Sequence, residues 1–174
     1  MSHALKLSQY AGGARISGVY NASNKCLDIP KCLLGAGGFY SPEVEHIKQQ
    51  WFSFIVTHEP DAKFFQICHS GGATHVKNAL LSVSEWVQQR IIVLAIAPAS
   101  IIPKKLCYQS DNYASKNEIV HYFNPANIKY WNELHILEPH PNAGWVDHDF
   151  ESPTFAPALQ LHISNYLEKY GDKR

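Results

Sequence analysis

A serine at position 70 stands between an apolar run, Phe64-Phe65-Gln66-Ile67, and a helical pattern that begins at Ala73. Its immediate surroundings are Cys68-His69-Ser70-Gly71-Gly72. A strand that turns sharply into a helix lifts the serine oxygen above the sheet edge, and the turn is so tight that flanking side chains must be small. The usual form of such a turn is G-x-S-x-G; here Cys68 replaces the first glycine and Gly72 keeps the second. A serine hydroxyl at neutral pH is nevertheless a poor nucleophile. It needs a histidine to take its proton and a carboxylate to hold that imidazole in the right tautomer.

Both residue types follow, each just after its own predicted strand. Two carboxylates compete for the acid. Ser115-Lys116-Asn117-Glu118-Ile119-Val120 places Glu118 at the tip of a turn that the following apolar residues anchor. Asp111, in Ser110-Asp111-Asn112-Tyr113, lies closer to the strand itself. Glu118 is preferred and Asp111 is the alternative. For the histidine, His148 in Trp145-Val146-Asp147-His148-Asp149-Phe150 lies after the last strand and before the last helix. Asp147 and Asp149 beside it would favour its charged form. His140 and His121 are its rivals among ten histidines.

Acyl transfer also creates an oxyanion, which needs donors. The N–H of Gly71, directly after the serine and at the start of a helix, is one candidate. A second is expected from Asn21 and Ala22, after the first strand. A zinc site through Cys68, His69 and His75 fails on geometry, because a strand end and a helix do not aim those three at one point. Cys68 as nucleophile would lie within the strand, away from the exposed apex. No metal or organic cofactor is expected.

Positioning these groups requires strands that alternate with helices. Strands are predicted over 14–20, 63–68, 91–97, 106–113 and 131–137. Ile91 to Ala97 is apolar on both faces, as a central strand of a parallel sheet must be. Ser41-Pro42-Glu43 opens a helix with a capping serine, a first-position proline and a carboxylate in the first turn. Val44, Ile47, Trp51, Phe54 and Ile55 then recur at helical spacing. A second helix is predicted from Ala73 to Arg90 and a last one from about Thr154 to Lys169. The region Cys26 to Tyr40, with three glycines and Pro30, reads as a long loop. Alternation of this kind implies an α/β domain, 1–174, with a mostly parallel sheet of about five strands and helices packed on it. Ligands of such sheets sit at the carboxyl ends of the strands.

Composition narrows the partners. The chain has 174 residues, 45% of them apolar and 17% charged, with a formal net charge of zero. Without a basic block, nothing points to nucleic acid or an anionic membrane. No window approaches the ~20 apolar residues of a membrane helix. The N-terminus lacks a basic segment followed by an apolar stretch, so a cytoplasmic location with reduced cysteines is expected.

Three segments, Gln66 to Ala73, Arg90 to Pro98 and Asp147 to Thr154, together with the acid loop, carry a resemblance to small α/β-hydrolases of the lipase and serine-esterase kind. More narrowly, the chain is similar to a family of uncharacterised proteins from intracellular bacteria. The resemblance implies the chain order serine, acid, histidine, a triad of Ser70, an acid and His148, and hydrolysis of acyl esters. The expected partner is a small acyl ester or lipid-like molecule bound in a shallow, open site, with a protein partner left open. The alternative is a hydrolase-like scaffold that binds and does not catalyse.

Overall fold

The computed structural model describes residues 3–12 and 41–171. In chain order these form α1 (His3–Tyr10), α2 (Pro42–Thr57), β1 (Phe64–His69), α3 (Gly72–Leu81), the short α4 (Glu85–Gln88), β2 (Ile91–Ile96), β3 (Gln109–Ser115), β4 (Leu134–Leu137) and α5 (Ala156–Tyr170). The four strands pair in the order β1-β2-β3-β4, and every pairing is parallel. The chain is therefore α/β, with a parallel sheet of four strands among the described residues and helices packed on it. The strand predicted at 14–20 and the loop at 26–40 lie outside those residues.

β2 is internal, and all six of its side chains are buried. Its residues alternate between two cores. Ile91, Val93 and Ala95 face α2 and α3, packing with Val44, Ile47, Trp51, Val76 and Leu80. Leu94 and Ile96 face α1 and α5, packing with Leu7, Phe155, Leu159 and Ile163. A strand with no solvent face must be apolar throughout, which explains the unbroken run in the sequence. Burying side chains of this size contributes about 1.5–3 kcal/mol each.

α2 begins as its sequence requires. The Ser41 hydroxyl accepts the Val44 N–H at 3.3 Å, and Pro42 occupies the first turn. Trp51 on its inner face is fully buried, and its indole N–H donates to Gln66 Oε1 of β1 at 3.2 Å.

Three boundaries differ from the sequence prediction. The strand expected over 106–113 is β3, which starts only at Gln109, after a 3₁₀ turn at Lys104–Leu106, and runs on to Ser115. The helix expected over 73–90 stops at Leu81. The Ser82 hydroxyl donates to Ala79 O and the Gln88 amide to Leu80 O, satisfying carbonyls at the helix end. Val83 and Val87 continue the apolar spacing because the turn and α4 pack on the same core. The strand expected over 131–137 is only β4, since Pro125–Glu133 forms 3₁₀ turns. Asn124 caps them by accepting the Ala126 N–H, and Glu133 Oε2 accepts the Lys104 N–H at 2.6 Å.

Candidate functional site

The carboxyl ends of β1, β2 and β3 converge on Ser70. Its backbone lies in the left-handed region at φ 52°, where a non-glycine residue is strained by about 1–2 kcal/mol. That strain is held by the neighbouring strand. The Ser70 N–H donates to Ile96 O at 3.2 Å, and Ser70 O accepts the N–H groups of Ala73 at 3.1 Å and Ala99 at 3.0 Å. Ala97, just past β2, is also left-handed at φ 45°, and its N–H donates to Tyr113 O. Two left-handed residues side by side steer both chain segments around the serine. The Thr74 and Ser100 hydroxyls, 2.9 Å apart, join α3 to the segment after β2.

Cys68 fits this turn by pointing inward. It is buried among Ala73, Val76 and Ala95, so the non-glycine residue meets the core and not the turn. Burial and the neighbouring Cys107 push its thiol far above the ordinary range, which leaves no thiolate at neutral pH. Cys68 and Cys107 are both free.

The structure brings Ser70, His148 and Glu118 together. Ser70 Oγ lies 2.9 Å from His148 Nε2, and His148 Nδ1 lies 3.1 Å from Glu118 Oε1. Glu118 is fully buried at the turn after β3, where its N–H donates to Ser115 O. Its carboxylate takes three donors. Oε1 accepts the Val120 N–H besides facing His148, and Oε2 accepts from His121 Nδ1. Burial alone would push this carboxyl up. The hydrogen bonds from His121, His148 and Val120, with the charge of the His121 imidazole, outweigh that and hold it at about 2. A carboxylate so low is only an acceptor at neutral pH. His148 Nδ1 therefore donates in this contact, and its Nε2 faces the serine hydroxyl.

Asp111 is elsewhere. Its Oδ2 accepts the Gln109 side-chain amide at 2.8 Å and lies 3.6 Å from His162 Nδ1. Strand β3 directs it to the α5 side of the sheet, away from Ser70. Asp147 and Asp149 likewise turn into their own loop. Asp147 Oδ2 accepts the Thr154 hydroxyl, and Asp149 Oδ1 accepts the Glu151 N–H at 3.0 Å. Of the rival histidines, His140 accepts the Asn142 N–H in an exposed turn, whereas His121 is buried behind Glu118. Gly71 is the N-cap of α3, so its N–H opens the helix directly after the serine. Asn21 and Ala22 lie outside the described residues.

Two contacts at the site go beyond the sequence prediction. His69 Nε2 donates to the carbonyl of His148 at 2.7 Å, and its ring sits 5.0 Å from that of His148. The second is the bond from His121 to Glu118. The i, i+3 spacing of Glu118 and His121 was a visible signal for it, since such residues neighbour one another on a helical turn. Nothing in the sequence marks His69 as a partner of a loop almost eighty positions away.

No group of three or more histidine, cysteine or acidic side chains among the described residues is arranged to hold a metal ion. No helix among them is long and apolar enough to cross a membrane. No protein-family model, curated protein or solved structure matches this chain.

Proposed function

We propose that this protein is a serine hydrolase that cleaves acyl esters, with Ser70 as nucleophile, His148 as general base and Glu118 as the acid that orients it. The observation that carries this reading is the run of contacts from Ser70 Oγ to His148 Nε2, 2.9 Å, and from His148 Nδ1 to Glu118 Oε1, 3.1 Å. Both fall within the reach that proton transfer requires. The left-handed Ser70 at a strand-to-helix turn supports it further, because backbone strain gathers where a side chain must be presented.

In this mechanism His148 Nε2 removes the hydroxyl proton as Ser70 Oγ attacks the ester carbonyl. The negative charge that develops on the carbonyl oxygen is met by the Gly71 N–H at the helix start. Collapse of the tetrahedral intermediate expels the alcohol, which takes the proton from His148, and leaves an acyl group on Ser70. Water, deprotonated by the same imidazole, then releases the carboxylic acid and restores the serine. Glu118 stays ionised throughout and stabilises the imidazolium.

Exposed apolar side chains next to the acid and the histidine suit an acyl substrate. Ile119 follows Glu118, and Val146 and Trp145 precede His148, with Trp145 92% exposed. An open depression in the same loop, lined by Asn142, Val146, Asp147, Asp149, Glu151 and Pro153, is acidic and does not include Ser70, so the apolar side chains and not this depression carry the substrate reading. Short acyl esters, or one chain lying on the surface, match such an open site better than a deep tunnel would.

A fluorophosphonate probe tests the reading, since only an activated serine reacts quickly with it. Stoichiometric labelling that maps to Ser70 and is lost in His148→Ala is the expected result. Absence of labelling in the folded protein would leave the hydrolase-like binding scaffold as the better account.

A further inference from the structure

Among the described residues, the His121 side chain makes one polar contact, and that contact is to Glu118. The residue is 1% exposed. Its Nδ1 donates to Glu118 Oε2, while its Nε2 has no hydrogen-bond partner among the described residues. The rest of the ring lies against Tyr122, at 4.2 Å between centroids, and edge-on to Trp131 at 5.6 Å. An imidazole buried among aromatic rings with half its polar capacity unmet costs more than an apolar residue of the same size. What the imidazole supplies that leucine or phenylalanine would not is the Nδ1–H aimed at the carboxylate.

The backbone of His121 is tied to the serine turn. Its carbonyl accepts Asn127 Nδ2 at 2.9 Å, and the same amide donates to Ala99 O at 3.1 Å. Asn127 is fully buried, and its Oδ1 accepts the Ile101 N–H at 2.9 Å. Ala99 in turn donates its N–H to Ser70 O at 3.0 Å. The hydrogen bonds therefore close a circuit that leaves the Ser70 backbone, runs through Ala99, Asn127, His121, Glu118 and His148, and returns to Ser70 Oγ.

We propose that His121 is a positioning residue of this site, pinning the second oxygen of Glu118 so that the first stays directed at His148 Nδ1. The terminal torsion of a glutamate is broad and roughly two-fold, so the carboxylate plane is poorly defined by its own rotamer. The Val120 N–H and His148 both engage Oε1. Among the described residues only His121 engages Oε2, and without it the carboxylate is free to rotate about its last bond. His148 then loses the fixed acceptor that keeps its proton on Nδ1 and its Nε2 lone pair toward Ser70. The consequence for turnover rests on the hydrolase reading; the consequence for His148 does not.

The test compares three variants of the full chain. His121→Leu removes the donor at similar volume. His121→Asn keeps an amide N–H close to the place of Nδ1–H, and His121→Gln carries its amide one bond too far. Long-range proton–nitrogen spectra of the ¹⁵N-labelled protein report which nitrogen of His148 is protonated. The expected result is an Nδ1-protonated ring in the wild type and in His121→Asn, and a mixture of tautomers in His121→Leu and His121→Gln. If the hydrolase reading holds, kcat on p-nitrophenyl acetate falls about 10²-fold in His121→Leu at nearly constant KM, as a misplacement of this order costs. His121→Asn then recovers most of it. A His148 spectrum unchanged in His121→Leu would overturn the proposal. Where that variant does not fold, identical His148 spectra in His121→Asn and His121→Gln would overturn it equally. A wild type without esterase turnover fails the hydrolase reading alone, because the spectra still report on His121.

Discussion

The serine turn and the histidine loop meet where Ser70 Oγ faces His148 Nε2, yet they are held in place by different means. Ser70 is fixed by backbone: Ile96 O receives its N–H, and its own carbonyl takes the N–H groups of Ala73 and Ala99. All of these lie at the ends of β1 and β2 or at the first turn of α3, beside the buried cluster that these elements share. His148 sits in a segment without regular structure between β4 and α5, and side chains hold it. His69 reaches its carbonyl, Thr154 holds Asp147 beside it, and Glu118 receives its ring. A strand end can support a strained φ because many ladder bonds act together. A loop must be stapled residue by residue, and each staple can be removed by one substitution.

The largest effect belongs to the bond where the two regions meet. Ser70→Ala and His148→Ala should each lower kcat for a short-chain ester by about 10⁴ or more, and the double variant should cost little beyond either single one. Initial-rate kinetics on acetate and butyrate esters measure this. Full activity in Ser70→Ala would remove the nucleophile assignment.

Acid separates the regions next. Glu118 is held at about 2, below an ordinary value of 4.5. A carboxylate depressed on folding contributes stability that is fully present above the unfolded value and is lost as pH falls through the folded one. The wild type should therefore lose, on the order of, 3 kcal/mol of its advantage over Glu118→Gln between pH 5 and pH 2. Urea unfolding at a series of pH values gives the difference, and a gap independent of pH would contradict the charge-based anchoring of this loop. Glu118 itself should contribute no acid limb to the rate above about pH 4, since it stays ionised there.

Thr154→Val tests the staple idea with a nearly isosteric change. It strips the donor from the buried Asp147 carboxylate and the acceptor from the His140 N–H. A loss of about 1–3 kcal/mol in unfolding free energy is expected, with a lower kcat and an unchanged serine turn. An unaltered unfolding midpoint would mean that the histidine loop does not depend on this contact.

The smallest effect probes the strain at the turn. Ser70→Gly and Ser70→Ala both remove the hydroxyl, but only glycine relaxes a φ of 52°. Relief of about 1–2 kcal/mol is partly offset by the extra freedom of unfolded glycine, about 0.4–1 kcal/mol. Ser70→Gly should thus melt a few degrees above Ser70→Ala. Equal melting temperatures would show that the left-handed backbone is not strained in the folded protein.

Much of the scaffold was legible because it depends on short-range pattern. Ile91 to Ile96 had to be an internal strand, since six successive apolar side chains need cover on both faces. Ser41-Pro42 marked the start of α2 through local capping chemistry. Pattern was less informative where packing overrides it. Val83 and Val87 prolong the helical spacing of α3 past its real end at Leu81, because two separate pieces can face one core. Trp131 has strand-like character, yet it belongs to the 3₁₀ turns that Pro125 and Asn124 set up.

By itself the sequence determined which residues were available to meet: a serine in a tight strand-to-helix turn, a carboxylate after the third described strand, and a histidine before the last helix. These are consequences of chain order and local backbone preference, which act over a few residues. Tertiary structure decided between the candidates, of which Glu118 was already the preferred acid. It placed Glu118 rather than Asp111 against His148, because alternate residues of a strand point to opposite faces and Asp111 faces α5. It put His121 behind the acid and His69 beneath the histidine, contacts that depend on the parallel sheet bringing strand ends side by side. Which oxygen faces which imidazole is a matter of tenths of an ångström across segments distant in sequence, and only the packed fold sets distances of that kind.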